Sequence, residues 1–381
     1  MPTATINQAA LAAMGSDVAL LQTADGVPMI NLWTKVLVPG LEKYNSIKNT
    51  LVDFLAYRTD LEVEEVIQAV GSTWQKNTEV TKGVGQVKIG GYWIRTARDE
   101  FKKYMGWTRK YIRENNSSAI AAHLNAELKG LTAQKFQEVL STFYNKGEKV
   151  VLDRRTHEAL KIACLVDGVG TMVPPPVGGT TFLANHSHFT YEATGESAWS
   201  VVATREAALK ALVKLVREHG FFKNLVLMCN PGMSDSIAAC PSFRGFVSVS
   251  PFGQSEDAAL RGSDTQATMA TFREFAGMFR VIGTLPFATV MESDLLPNKY
   301  VSAFSYQGQN SPDNPVQWFE GPVTSFSENP FPFYETILET EFGASIRKRL
   351  NGAHMFVDAG ISAYANPTLV GLETQAGDYL A

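Results

Sequence analysis

Charge is scarce in this sequence. Asp, Glu, Lys and Arg make up 19% of its 381 residues, below the quarter or so usual for globular chains. A free-standing enzyme of this size carries more surface charge, so the shortfall points to surface covered by other protein. The formal net charge of −4 supplies no global attraction to nucleic acid or to an anionic membrane. Cysteine is equally sparse. Cys164, Cys229 and Cys240 are far apart with no C-x-x-C pair, which reads as buried reduced thiols in a cytoplasmic protein. No apolar run approaches the ~18 residues that span a bilayer, and the first residues lack the basic-then-apolar order of an export signal.

Catalytic motifs are missing as well. Gly83, Gly85, Gly90 and Gly91 fit neither G-x-G-x-x-G nor a phosphate loop ending in Lys-Ser/Thr, and Gly168-Val-Gly170 and Gly178-Gly179 fail the same test. Cys229 ends an apolar run before Asn230-Pro-Gly, a place where a nucleophile could stand with His219 as base. No nucleophile motif accompanies it, however, and a buried thiol at a strand end is the better reading. His186-Ser-His188 lies on a period-two segment that turns both imidazoles to one face. A metal there would need further ligands from Cys164, Asp167 or Glu192, and no spacing motif supports it. We read the pair as polar residues on a solvated strand face. No catalytic, cofactor-binding or metal residue is assigned. Glu64-Glu65, Glu339 and Glu341 read as solvated faces.

What the sequence does have is a serial organisation. Residues 1–30 are poor in charge and rich in Ala, Thr, Gln and Asn. Such an arm buries too little to fold alone and is expected to order against a neighbouring copy. A helix over 32–48 is expected to break at Pro39-Gly40. Thr59 to Glu62 reads as a capping box opening a short helix with Val63, Val66, Ile67 and Val70 on one face. The segment 71–95 is polar, with Thr-rich and alternating portions around Lys82-Gly83-Val-Gly85. It reads as a long two-stranded loop with little core of its own, which needs a surface to lie on.

Residues 97–113 read as a helix with Phe101, Tyr104, Met105, Tyr111 and Ile112 on one side. Its opposite side carries Arg98, Lys102, Lys103, Arg109, Lys110 and Arg113, and with Arg95 there are seven basic residues between 95 and 113 against Asp99 and Glu100. Nucleic-acid binding is one reading of this stretch; a solvated face, or docking onto an acidic neighbour, is the favoured one. Ser117-Ser118 caps a helix that Gly130 breaks and Thr132 restarts, giving one long kinked helix to about Asn145. Residues 153–165 are a further helical candidate. Thr204 caps the cleanest amphipathic helix, with Leu209, Leu212, Val213 and Val216 inward and Gly220 at its end. Residues 224–229 read as a buried strand, 265–279 as a helix, and strands follow at Val281, 287–291 and 300–306.

The last fifty or so residues hold apolar or aromatic segments parted by Gly343, Asn351-Gly352 and Gly360, and end in Tyr364-Ala-Asn-Pro-Thr. Asn-Gly between apolar runs is a strong hairpin signal, so the chain is expected to close as an antiparallel β element. This ending resembles the terminal sheet and Asn-Pro-Thr tail of tailed-bacteriophage major capsid proteins of the Hong Kong ninety-seven type. Residues 283–297 resemble the strand–Pro–strand passage of that family's axial domain. The order of elements is similar over most of the chain, although the individual motifs are weak.

The resemblance implies an α+β fold with an N-terminal arm and short helices (1–60), an extended loop and flanking helices (61–113), and a peripheral domain with the spine helix (114–199). An axial domain (200–312) and the terminal strands and tail (313–381) complete it. It implies a non-enzymatic subunit forming hexamers and pentamers of an icosahedral shell around double-stranded DNA, without sequence-specific DNA contacts. Scaffolding and portal proteins would be partners, membrane would not, and the location would be the virion after assembly in the host cytoplasm. No scaffolding extension of about a hundred residues precedes the arm, so scaffolding would be separate or absent. Assembly contacts are expected from Trp74, Lys82, Val87, Ile89, Arg98 and Lys102.

Some members of the family link a loop lysine to a neighbour's asparagine. Lys76, Lys82 and Lys88, with Asn351 and Asn366, are the matching residue types, too common to establish that activity. An encapsulin-type nanocompartment shell and an α/β hydrolase-like enzyme are the rival readings. The first usually has a shorter chain and arm; the second lacks its nucleophile motif here.

Overall fold

The computed structural model describes residues 21–32, 38–46, 50–61, 63–70, 88–96, 98–152, 159–168, 186–193, 199–245, 280–326 and 335–369. The arm before residue 21, the loop tip 71–87 and the expected helix 265–279 lie outside them. The fold is α+β and the chain divides into two compact units, each assembled from three separated stretches.

The first unit combines residues up to 49, 98–138 and 319–343. Its core gathers Leu21, Met29, Leu32 and Leu41 with Met105, Trp107, Ile112 and the Ile120, Leu124, Leu128 stripe of the long helix Ser117–Tyr144. Spacings of four keep that stripe on one helix face. Gly130 does not break the helix, and Thr132 donates its hydroxyl to the Leu128 carbonyl at 3.0 Å instead of capping a restart. A mid-helix glycine costs about 1 kcal/mol, too little to stop a helix whose neighbouring turns are anchored in core. The helix N-terminus is capped from far away: an Asp25 carboxylate oxygen accepts the Ser117 amide at 3.0 Å, and the other accepts the Ser117 hydroxyl at 2.6 Å. Pro39-Gly40 does not interrupt its helix either, because Pro39 is the second residue of Val38–Ser46, where no intrahelical N–H is lost.

The expected helix over 97–113 is mostly a strand. Asp99–Gly106 pairs antiparallel with Glu335–Ile346, Asp99 opposite Phe342 and Gly106 opposite Glu335, and only Arg109–Glu114 is helical. Phe101 and Met105 are four apart, which suits one face of a helix and one face of a strand equally well. The sheet partner decides between them, and Phe101 stacks on Phe342 with ring centroids 3.8 Å apart. The same ambiguity misleads at 63–70, where Val63–Val70 is a strand and not a helix. It pairs antiparallel with Lys88–Arg95 from Val63 opposite Arg95 to Val70 opposite Lys88. A two-stranded element is present, but its first strand is Val63–Val70, ahead of the expected loop 71–95, and only its second strand, Lys88–Arg95, falls within that loop.

The second unit is built on a seven-stranded sheet. Its strand order is Phe189–Ala193, Ala353–Asp358, Tyr300–Ser305, Leu225–Cys229, Ala288–Glu292, Arg280–Leu285 and Arg244–Gly245. Leu225–Cys229 is buried at every position, as its unbroken apolar run requires. Helix Val202–Arg217 lays Leu209, Leu212, Val213 and Val216 into the core over this sheet. Its cap differs from expectation: Thr204 lies inside the helix and donates its hydroxyl to the Val201 carbonyl. Residues 153–158 lie outside the described set, and Ala159–Ile162 is a strand paired with Lys149–Leu152 instead of helix.

Asn351-Gly352 is not a hairpin turn. The strand before it, Glu335–Ile346, and the strand after it, Ala353–Asp358, belong to different sheets. The Asn351 amide accepts the Ser305 N–H at 2.8 Å and donates to the Ser305 and Asp313 carbonyls at 2.9 and 2.7 Å. Gly352 is needed for space: a Cβ there would meet Phe143 at 2.8 Å and Leu165 at 3.0 Å. Gly343 also parts nothing, being internal to Glu335–Ile346.

Candidate functional site

The two-stranded element is rooted by an ion pair that the sequence did not reveal. Glu64, read as solvated, has a side chain only 19% exposed, and both its oxygens accept from the Arg347 guanidinium at 2.7 Å. Arg347 also donates to Gln317 at 2.9 Å and to the Pro312 carbonyl at 2.8 Å, with its guanidinium 4.3 Å from the Tyr57 ring centre. A planar guanidinium satisfied on this many sides holds its partners in one geometry. The first strand of the hairpin is therefore fixed at its base.

Of the expected assembly contacts, Trp74, Lys82 and Val87 lie outside the described residues. Ile89 is in the second hairpin strand, opposite Ala69. Arg98 stacks over the Phe319 ring at 3.7 Å. Lys102 bonds Glu100 at 2.8 Å and approaches Glu339 at 3.8 Å. Much of the basic stretch is thus matched by acids of its own chain: Lys103 pairs with Glu127 at 3.4 Å and Lys110 with Glu114 at 3.9 Å. The carboxyl of Glu339 is pushed up, first by its hydrogen bond with Glu100 and then by burial. It is half-buried, not solvated as expected, whereas Glu341 is exposed. Among the lysine-link candidates, Lys76 and Lys82 lie outside the described residues and Lys88 ends a hairpin strand. Asn351 is fully buried within its own subunit and is no acceptor for a neighbour. Asn366 is exposed, with its amide bonded to Lys146 N–H and Asn145 at 2.7 Å each.

Cys229 is fully buried with its Sγ 3.7 Å from the Met291 carbonyl, and burial, aided by Glu292, pushes its thiol far above the usual range. A thiolate nucleophile needs the opposite environment. The Asn230-Pro-Gly that follows is a helix start: Asn230 caps Pro231–Ala238 by accepting the Gly232 N–H at 3.1 Å. Cys164 and Cys240 are buried free thiols as well.

The histidines depart most from expectation. His188 is fully buried rather than on a solvated face. Its Nδ1 lies 2.5 Å from the Gly352 carbonyl and its Nε2 2.9 Å from His219 Nε2, which is 3.2 Å from His186 Nε2. Burial lowers the pKa of all three: His188 well below the usual value, His219 to about 4 with help from His186, and His186 against the opposing pull of Glu218. The partner of the His186–His188 pair is thus His219, thirty-one residues beyond His188, and not Cys164, Asp167 or Glu192. The one local signal for it is its place beside Gly220, where an amphipathic helix must end. His354 is a separate buried imidazole, its Nε2 bonded to the Phe143 carbonyl and its Nδ1 to Ser302, both at 2.8 Å.

No protein-family model matches the sequence, and no curated protein does. Solved structures do. One titled Mycobacterium phage Patience is similar with a TM-score of 0.59 at 21% identity, covering 92% of this chain and 93% of that one. The asymmetric unit of bacteriophage PhiM1 mature capsid follows at 0.46 and 9% identity, covering 83% and 89%. The capsid of a native GTA particle is similar at 0.44 and 10%, covering 82% and 91%. The α+β fold described above is the fold of the Patience phage structure across nearly the whole length of both chains.

Proposed function

We propose that this chain is the major capsid protein of a tailed bacteriophage, a non-enzymatic subunit that assembles with copies of itself into an icosahedral shell around double-stranded DNA. The observation that carries the reading is the fold held in common with a phage structure over 92% of the chain. The order of arm, hairpin, long helix, sheet-centred body and terminal strands supports it. An axial domain over 200–312 is proposed on strands Leu225–Cys229 to Tyr300–Ser305 of the seven-stranded sheet, and a peripheral one on the long helix with strand Glu335–Ile346.

Function in such a subunit is geometry. The hairpin has an anchored root, and exposed apolar side chains near it, Leu61 and Val63, await cover. Tyr104 and Phe222, 59% and 56% exposed, offer further area. Typical stable interfaces bury about 1,600 Å² in total, and interlaced arms and loops exceed that. Trp74, Lys82, Val87, Ile89, Arg98 and Lys102 are the proposed contacts. Scaffolding and portal proteins are proposed as partners during assembly in the host cytoplasm. DNA is held by confinement, in keeping with lysines already matched by acids of the same chain.

Expression alone and with its scaffold, followed by sedimentation and electron microscopy, tests the proposal. Capsomers or closed shells are the expected species. A sharp monomer near 41.7 kDa at every concentration, with or without scaffold, overturns it.

A further inference from the structure

We propose that His186, His188 and His219 form a binding site for a divalent transition-metal ion, with zinc the ion that fits best. The site lies wholly in the second unit, and nothing in shell formation requires it. One ring nitrogen from each histidine lies within 4.8 Å of the other two. The Nε2 atom of His219 is the hub, 2.9 Å from His188 Nε2 and 3.2 Å from His186 Nε2. A tetrahedral ion bound at ~2.0–2.1 Å to each nitrogen places its ligands about 3.3–3.4 Å apart. Two of the three separations, 2.9 and 3.2 Å, stand near that spacing and the third lies within 4.8 Å, so rotations of the half-buried His186 and His219 that even out the three distances would admit the ion.

The tautomer of His188 suits a ligand. A carbonyl oxygen only accepts, so the contact to Gly352 places the proton on Nδ1 and leaves the Nε2 lone pair aimed at the cluster. A ring N–H held by a backbone carbonyl is the outer-shell arrangement that orients metal-bound histidines and raises their basicity. The His188 backbone is pinned on both sides as well. Its N–H donates to Val166 O and its carbonyl accepts from His354 N–H, each at 2.7 Å.

His219 is held by the turn that closes helix Val202–Arg217. Its N–H reaches Val216 O at 3.3 Å, and Gly220, at φ 92°, returns its N–H to Arg217 O at 3.0 Å. Two separate parts of the chain therefore bring imidazoles to one point on anchored backbone. His188 is buried while His186 and His219 are half-buried, so a fourth position stays open to water, as in three-histidine zinc sites. The Glu218 carboxylate, close enough to favour positive charge on His186, adds a favourable field for a cation. A bound ion would tie the helix-end turn to the segment leading into strand Phe189–Ala193.

The test is a metal titration of the purified full chain after chelator treatment. The readouts are zinc content, the visible spectrum of the cobalt-substituted protein and the melting temperature. Expected are about one ion per chain, an intense cobalt spectrum of four-coordinate type, and a melting temperature that rises with zinc. His186→Ala and His219→Ala should each weaken binding by more than about tenfold. His123→Ala should leave it unchanged, because that imidazole is engaged elsewhere, 3.1 Å from Trp107 Nε1. Zinc uptake that is absent in the wild type, or equal in all these proteins, overturns the proposal. So does a weak six-coordinate cobalt spectrum, which needs no variant to fold. Either result leaves the shell-forming reading untouched, since the titration is scored per chain whatever the assembly state.

Discussion

Lys135 sits in the first unit with its side chain 1% exposed, and its ammonium meets a Glu320 oxygen at 2.6 Å while that side chain keeps 16% exposure. Tyr44 completes the cage, its hydroxyl 3.4 Å and its ring centre 5.0 Å from the ammonium, with the Phe342 ring at 5.9 Å. At an effective dielectric near 20 the gross attraction of the pair is about 6 kcal/mol, and desolvation, several kcal/mol per ion, offsets most of it. The intact pair is therefore close to neutral, and the two ways of breaking it differ. Glu320→Gln strands a buried ammonium whose amide partner carries no charge, at a cost of about 3 kcal/mol. Lys135→Met fills the same space with an apolar chain and leaves a carboxylate that still reaches water, at about 1 kcal/mol or less. The double variant should match Lys135→Met, giving a coupling of about 3 kcal/mol. Urea unfolding of the soluble subunit followed by Trp107 fluorescence measures this, because Trp107 is buried in the core of the same unit. If Lys135→Met costs as much as Glu320→Gln, the argument from stranded charge is refuted.

Gly352→Ala should destabilise the second unit by about 1–3 kcal/mol. The new methyl meets the Phe143 ring, which cannot swing away because it is packed edge-on against His354 at 4.5 Å and Phe304 at 6.2 Å; a thermal shift near zero would show that the ring yields. Hydrogen bonds from the Ser117 and Thr23 side chains hold the exposed Asp25 carboxyl down to about 2. A depressed acid stabilises fully above its unfolded value near 3.8 and loses that contribution as pH falls through the folded value. Protection of the first amides of helix Ser117–Tyr144 against hydrogen exchange should accordingly persist at pH 5 and fade between about pH 4 and 2. In Asp25→Ala it should be weak at both ends, and unchanged protection in that variant would remove the cap from the account.

The sequence alone determined the features that depend on a residue's own neighbours. The continuous apolar run made Leu225–Cys229 a buried strand, and the stripe at 209, 212, 213 and 216 set the buried face of helix Val202–Arg217. The long helix Ser117–Tyr144 was equally legible, and so was the second strand, Lys88–Arg95, of the hairpin ahead of it. Three strands were placed within a residue or two over 280–305. Only the tertiary structure decided what depends on distant partners. Residues 99–106 and 63–70 carry spacings of three and four that a helix accepts, yet each found a strand partner whose ladder hydrogen bonds outweigh a weak local preference. Asn351-Gly352 looked like a turn because both residues tolerate positive φ. Its amide instead closes a polar gap beside Ser305, and its glycine admits the Phe143 ring. Asp25 capping a helix start ninety-two positions away, and His219 meeting His188 across thirty-one, leave no periodic trace in the chain. Such pairings arise when whole elements dock, and no window of sequence contains both partners.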